Sequence, residues 1–248
     1  TGGLTATAPS AVTLNGEIRS AGATVSIGDS NTGVTLAGTT SIIDTTNNGG
    51  NAAGGGITLG GAINGTAANT QSLTLNAGTG GAISATGNIG ATTTLATLTI
   101  TNSNGATFSG SVATGTSVVL TDTTDAANIT FNGALTTPTL TTAVQGYDLD
   151  ILGGGTAVTN NVSFANTGTL ALGDGTGLAS NYAIAGAGNT GTITAKAVTI
   201  AGTRAYDGTT NFTAGSFTPT ISGTVGAETL TIASGTGTVP LSGVAAGT

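Results

Sequence analysis

One short pattern recurs along the chain and limits its fold more than any other feature: apolar, Thr, Leu or Phe, any residue, Gly, any residue, apolar. It reads Val12-Thr13-Leu14-Asn15-Gly16-Glu17-Ile18, then Ile57-Thr58-Leu59-Gly60-Gly61-Ala62-Ile63. It returns as Ala106-Thr107-Phe108-Ser109-Gly110-Ser111-Val112 and Ile129-Thr130-Phe131-Asn132-Gly133-Ala134-Leu135. Val34-Thr35-Leu36-Ala37-Gly38 is a partial copy. The central residue falls at 14, 36, 59, 108 and 131, in steps of 22, 23, 49 and 23. The long step is two periods, with Ile83 and Ile89 marking a degenerate copy between them. Further alternating segments, such as Val25-Ser26-Ile27, Leu98-Thr99-Ile100 and Val118-Val119-Leu120, precede the pattern by about nine or ten residues.

Each unit of ~22–25 residues therefore holds two or three short strands, and no such unit can bury its own apolar positions. Stacking on its neighbours buries them, because equivalent residues then form columns inside a coil. The spacing predicts an all-β, right-handed parallel β-helix, a β-solenoid, followed by the start of a small β-sandwich-like module. Period-2 alternation points Val12 and Leu14 inward and Thr13 outward. The fifth-position Gly makes a corner, where φ is positive or a side chain would clash. Leu14, Leu36, Leu59, Phe108 and Phe131 are expected to stack in one inward column. Six or seven coils, each rising about 4.8 Å, make a rod of roughly 30 Å. An antiparallel sandwich is the competing fold, but it would show turn signals without a fixed long period.

The pattern changes after Leu135. Thr136-Thr137-Pro138-Thr139-Leu140-Thr141-Thr142 is polar and holds a Pro that cannot donate to a ladder, so an insertion loop is expected over about 136–147. Strands resume at Asp148–Leu152, Asn161–Phe164 and Thr169–Leu172. The predicted organisation is a shaft over 1–178, a junction over 179–192 and a truncated module over 193–248. The chain starts and stops without a recognisable signal and is expected to be an excerpt of a longer mature polypeptide, with a processed complete chain as the alternative.

Composition excludes whole classes of function. Of 248 residues, 56 are Thr and 44 are Gly, and only 5% are charged where roughly 25% is usual. There is no Cys, Met, Trp or His. Thiolate and imidazole metal sites, Ser-His-Asp and Cys-His catalysis and disulfides are thus excluded. Three basic residues cannot neutralise a phosphate backbone, so nucleic acid is not an expected partner. Apolar runs stop at three or four residues, far short of the ~20 that span a bilayer as a helix. Thr, Val and Ile favour strands, and Gly and Asn favour turns.

Two resemblances follow from particular segments. Ser72-Leu73-Thr74-Leu75-Asn76-Ala77-Gly78 and Asn128-Ile129-Thr130-Phe131-Asn132-Gly133 resemble coils of the filamentous-haemagglutinin type of exoprotein, and the resemblance extends from Thr1 to about Gly175. It implies an elongated adhesin shaft exported through an outer-membrane partner by two-partner secretion. Asn181-Tyr182-Ala183-Ile184, Gly191–Ile200 and Arg204-Ala205-Tyr206-Asp207-Gly208-Thr209-Thr210 look like the entry into a YDG-type module of large bacterial surface adhesins. Its motif residues here are Tyr206, Asp207 and Gly208. The family's usual Lys-Val pair before the Tyr is replaced by Arg204-Ala205.

Candidate sites are few. Asp148 and Asp150 lie two apart on a strand and share a face, so they are weak candidates for a cation, but no third acid is near in sequence. Asp174, in Gly173-Asp174-Gly175-Thr176-Gly177, is a third weak candidate, although a tight turn explains it as well. Asp122 and Asp125 fit a turn. Paired carboxylates can hydrolyse glycosides across a cleft, but no Lys, Arg or His accompanies either acidic pair. Neither catalysis nor a cofactor is therefore expected. Thr13, Thr35, Thr58, Thr107 and Thr130 share one motif position and are expected to align outward in a ladder. Flat Thr ladders are also what ice-binding solenoids present. Such a surface needs a regular two-column Thr-x-Thr face, and the repeat reads as too uneven for one.

The sequence thus predicts a non-enzymatic, secreted bacterial surface or biofilm-matrix adhesin shaft. Expected partners are cell-surface or matrix glycans or proteins, further copies in a filament, and an outer-membrane secretion partner for the full-length chain. The alternative is a solenoid that binds glycans or ice through Thr- and Asn-rich faces. For glycans, only Tyr147, Tyr182 and Tyr206 are available as platforms. Lack of Cys suits unfolded passage through an oxidising periplasm.

Overall fold

The computed structural model describes residues 3–7, 9–173, 199–203, 211–213, 215, 217–222, 231–232 and 234–238. The chain divides into two compact units, Thr1–Thr190 and Gly191–Thr248. All regular structure among the described residues is β, and the first unit is a β-solenoid of about 7 turns with coils about 23 residues apart. Every strand pairing between its coils is parallel.

Each complete coil has three faces. The first face stacks β1 (Leu4–Ala6), β4 (Val25–Ile27), β7 (Ile57–Leu59), β10 (Ile83–Ala85), β12 (Ala106–Phe108), β14 (Asn128–Phe131), β17 (Asp148–Ile151) and β19 (Leu170–Leu172). The second face stacks β2 (Ala11–Leu14), β5 (Gly33–Leu36) and β8 (Ile63–Gly65). It continues through single bridges at Ile89 to the start of β13 (Val112–Leu120), then β15 (Leu135–Thr137) and β18 (Ala157–Val158). The third face stacks β3 (Glu17–Arg19), β6 (Thr40–Asp44), β9 (Ser72–Asn76), β11 (Leu95–Asn102), the second half of β13 and β16 (Thr139–Thr142).

The core is one strip of stacked aliphatic side chains down the inside. Val25, Ile27, Ile57, Leu59, Ile83, Ile129 and Leu149 are buried from the first face, and Leu73, Leu75, Leu98, Ile100, Val118 and Leu120 from the third. Phe108 and Phe131, from consecutive coils, stack with centroids 4.9 Å apart and planes 10° from parallel. That separation matches the strand spacing, so the ladder itself holds the rings face to face.

The five expected column residues are all buried, but they do not form one column. Leu14 registers with Leu36 and then Gly65 on the second face. Leu59 registers with Ile27 and Ala85 on the first face, in the column that continues through Phe108, Phe131, Ile151 and Leu172. The cause is the segment 45–56 between β6 and β7. Registered first-face positions fall at 4, 25, 57, 83, 106, 129, 149 and 170, so the coil holding this segment, from Val25 to Ile57, is the longest of the stack. One ordinary period counted from Leu36 therefore ends one face short of a full turn. The outward Thr ladder divides the same way: Thr13 pairs with Thr35 on the second face, whereas Thr58, Thr107 and Thr130 line the first.

The expected loop over 136–147 is a second correction. Thr136 and Thr137 lie in β15 and Thr139–Thr142 form β16, both paired to β13. Pro138 sits at the corner between two faces, where no ladder needs its missing N–H. Asn161–Phe164 is not a strand, although Val162 and Phe164 still pack against the core.

Corners between the first and second faces are built on a glycine column. A Cβ on Gly87 would strike the backbone of Gly61, one on Gly110 that of Gly87, one on Gly133 that of Gly110, and one on Gly153 that of Gly133. Here glycine is required by close approach of successive coils, whereas Gly16 at a second-to-third corner has open space around it and φ of 102°.

In the second unit, β20 (Thr199–Thr203) pairs antiparallel with β22 (Thr218–Ser222), and β21 (Asn211–Thr213) with β23 (Thr236–Thr238). Tyr206, Asp207, Gly208 and Asp174 lie outside the described residues.

Candidate functional site

The acidic candidates act as stitches between coils. Asn128 Nδ2 donates to Asp150 Oδ2 at 2.6 Å and Thr130 Oγ1 donates to it at 3.2 Å. The Thr169 N–H donates to Asp148 Oδ1 at 2.6 Å. Each carboxylate is therefore engaged by an adjacent coil. Among the described residues, no three metal-ligating side chains come together. Asp122 accepts the Thr123 N–H at 2.8 Å and Asn102 Nδ2 at 3.3 Å, which is turn chemistry joined to a neighbouring coil.

Asp122 also extends a polar column that the sequence reading missed. Arg19, Asp44, Asn76 and Asn102 stand in register at the ends of third-face strands. Asp44 accepts hydrogen bonds from Thr46 Oγ1 at 2.6 Å, Thr46 N at 2.8 Å and Asn48 N at 2.6 Å. Burial pushes its pKa up, but those bonds and the Arg19 guanidinium outweigh burial and hold it below the ordinary aspartate value. The same bonds anchor segment 45–56, where Asn47 and Asn48 are left-handed at φ 54° and 56°. The signal was an Asp or Asn at or just after the end of successive third-face strands.

Tyr147 offers no platform for a sugar. It is fully buried, its hydroxyl donates to Leu120 O at 3.3 Å and accepts from Ala143 N at 3.2 Å, and burial raises its pKa. Tyr182 and Tyr206 lie outside the described residues.

The outer surface of the third face is more regular than the sequence suggested. On the five strands that follow β3, ten outward residues form five rows of two: Thr40 and Ile42, Ser72 and Thr74, Thr97 and Thr99, Ser117 and Val119, Thr139 and Thr141; beside them the same face carries the polar column through Asp44, Asn76 and Asn102, and Glu17 of β3 in register with Ile42. Thr40 registers with Ser72 and Ile42 with Thr74. Thr99 registers with Thr74, Thr97 with Ser117 and Thr99 with Val119. Ser117 registers with Thr139 and Val119 with Thr141. Both register shifts of β11 fall outside residues 97–100, so the rows are unbroken. The register is regular, but only the rows at 97 and 99 and at 139 and 141 read Thr-x-Thr, so the face has two columns without being a regular Thr-x-Thr surface. These rows lack the corner Gly of the main motif. Their own signature is Ser or Thr, an inward residue, then a β-branched residue.

No protein-family model matches the chain, and neither a curated protein nor a solved structure matches it significantly.

Proposed function

We propose that this chain is a length of the structural shaft of a secreted bacterial surface or biofilm-matrix adhesin, acting outside the cell. The observation that carries this reading is the stacking itself. Successive coils of the first unit share one continuous inward column, and each coil is complete only against its neighbours, so such a unit lengthens by adding coils. The likeness of its coils to the filamentous-haemagglutinin type, and of the segment around Tyr206 to a YDG-type module, supports the same reading. Both imply a large exoprotein with an outer-membrane secretion partner. The segment would hold adhesive regions away from the cell and add many weak polar contacts along its length. It has no catalytic role in this proposal.

The direct test is attachment. Beads carrying the 248-residue chain should bind bacterial or host cell surfaces, or extracted matrix, above beads carrying an unrelated β-protein. Binding no greater than that control overturns the adhesive role. Hydrolase or lyase turnover on polysaccharides, lost in Asp148→Asn or Asp150→Asn, would overturn the non-catalytic one.

A further inference from the structure

We propose that the third face binds the surface of ice. The inference stands on the two-column array and is independent of the adhesin reading. Its rows repeat about 4.8 Å apart along the axis, and its columns lie two residues apart along each strand, about 6.6 Å. Eight of the ten side chains, all but Ser72 and Ser117, are β-branched, with few accessible χ1 rotamers, so the face is rigid before any ligand arrives. Thr supplies a methyl and a hydroxyl at six of the ten points, Ser72 and Ser117 supply a hydroxyl alone, and Ile42 and Val119 are wholly apolar. The methyls restrict neighbouring water, and the hydroxyls donate to it and accept from it.

Those hydroxyls are available. Within the array the protein engages Thr97 with Ser117, at 3.2 Å, and Thr139 with Asn160, at 2.9 Å. The hydroxyls of Thr40, Ser72, Thr74, Thr99 and Thr141 have no hydrogen-bond partner among the described residues. None of the ten side chains is charged; the nearest exposed charges on this face, Glu17 and its ion-pair partner Arg19, lie on β3 beyond the Thr40 and Ile42 row, at one margin of the array.

Ice is the occupant that fits this chemistry. Its surface is an uncharged plane of hydrogen-bond donors and acceptors, which an uncharged array of hydroxyls and methyls meets without desolvating an ion. A protein partner fits less well. Five rows and two columns cover about 24 Å by 13 Å, roughly 300 Å² on one side, where a stable interface needs about 800 Å² per partner. A crystalline glycan fits less well too, because the array contains no aromatic ring on which a sugar could stack. Ice presents its lattice over the whole face at once, so ten weak contacts act together. The first face is the internal control, since its outward column includes Asp150 and Thr130 is tied to that carboxylate.

Ice-affinity partitioning of the 248-residue chain tests the proposal. During slow directional freezing, the chain should enter the ice several-fold more than a non-binding protein of similar size. Thr99→Lys, at the centre of the array, should return it to background, while Thr107→Lys on the first face should leave partitioning unchanged. If circular dichroism shows that Thr99→Lys disturbs the fold, Thr141→Lys at the more exposed margin takes its place, with the same loss expected. A wild-type chain that partitions no better than the control overturns the proposal. So does equal loss in the first-face and third-face variants, or enrichment that survives the third-face change.

Discussion

Replacing Gly110 with Ala tests whether coil-to-coil contact, rather than backbone freedom, demands glycine at the first corner. A Cβ there would lie 2.6 Å from the carbonyl carbon and oxygen of Gly87 and 2.7 Å from the Asn88 nitrogen. All three are backbone atoms, so no rotamer change relieves the clash. The corner would have to open by about 0.8 Å out of a spacing of about 4.8 Å to restore ordinary contact. The adjacent ladder bond from Ser109 N to Ala85 O, 2.8 Å long, resists that movement. Overpacking of this kind costs about 1–3 kcal/mol. Two other glycines separate the causes. Gly154 has nothing within 4 Å of its Cβ position and no positive φ, so Gly154→Ala should stay within about 0.5 kcal/mol of wild type. Gly16 also has open space but φ of 102°, so Gly16→Ala should cost about 1–2 kcal/mol through backbone strain alone. Urea unfolding followed by far-ultraviolet circular dichroism gives the order. A Gly110→Ala midpoint equal to wild type, or a Gly154→Ala midpoint as low as that of Gly110→Ala, would refute the steric account.

Phe131→Ala removes a fully buried ring stacked on Phe108 and should cost about 3–5 kcal/mol in the same unfolding assay, with Phe131→Leu costing clearly less; equal losses would mean that the cavity is not the cause. Asp44 has a depressed folded-state pKa, so its stabilising contribution is present above the ordinary value of 3.8 and is lost as the pH falls through the lower folded value. Thermal melts of Asp44→Asn should show less loss on acidification than wild type, and parallel pH profiles would show that Asp44 is not responsible. At the outermost first-face strands among the described residues, Leu4, Leu170 and Leu172 continue the inward columns yet are 41%, 37% and 40% exposed. The chain should therefore sediment as a concentration-dependent oligomer that Leu4→Glu weakens; a strict monomer at high concentration refutes end-to-end association.

The general plan of this fold was legible because its inward positions obey a simple rule. An apolar residue at every second position, a glycine corner and a regular period are visible at 57–63, 106–112 and 129–135, and those segments do lie in register, running from the first face onto the second. The face to which a motif copy belongs was not legible. A three-faced coil has more than one corner, and any strand followed by a glycine corner yields the same local pattern, so 12–18, which starts on the second face, reads like 57–63, which starts on the first. β13 runs unbroken through two faces with Gly115 at the bend, so there the glycine corner does not interrupt the strand and does not mark a boundary. Polarity misled at 136–142. Thr is a strand residue whose outward face needs no apolar neighbour, and Pro138 occupies the one position there that no ladder uses. The third-face array was hidden for a related reason, since its strands are not followed by the glycine that made the main motif visible.

The step between registered first-face positions is as short as Ile129 to Leu149 and as long as Val25 to Ile57, yet the coils remain in parallel register throughout. Extra residues enter at corners, where doubling a loop costs only about 0.6 kcal/mol of closure entropy, whereas a one-residue slip within a strand would turn its core residues to solvent. Folding thus constrains the inward positions and the glycine column and places far weaker demands on the three outer surfaces. On the first face that freedom produced Asn128, Asp148 and Asp150 stitching neighbouring coils; on the third it produced an uncharged Thr, Ser, Val and Ile lattice. Residues that act together on such a fold are neighbours down a column, as 40, 72, 97, 117 and 139 are, and not along the chain. A short contiguous motif, even one as recognisable as a paired Asp, therefore carries less functional information here than one outward position followed through successive coils.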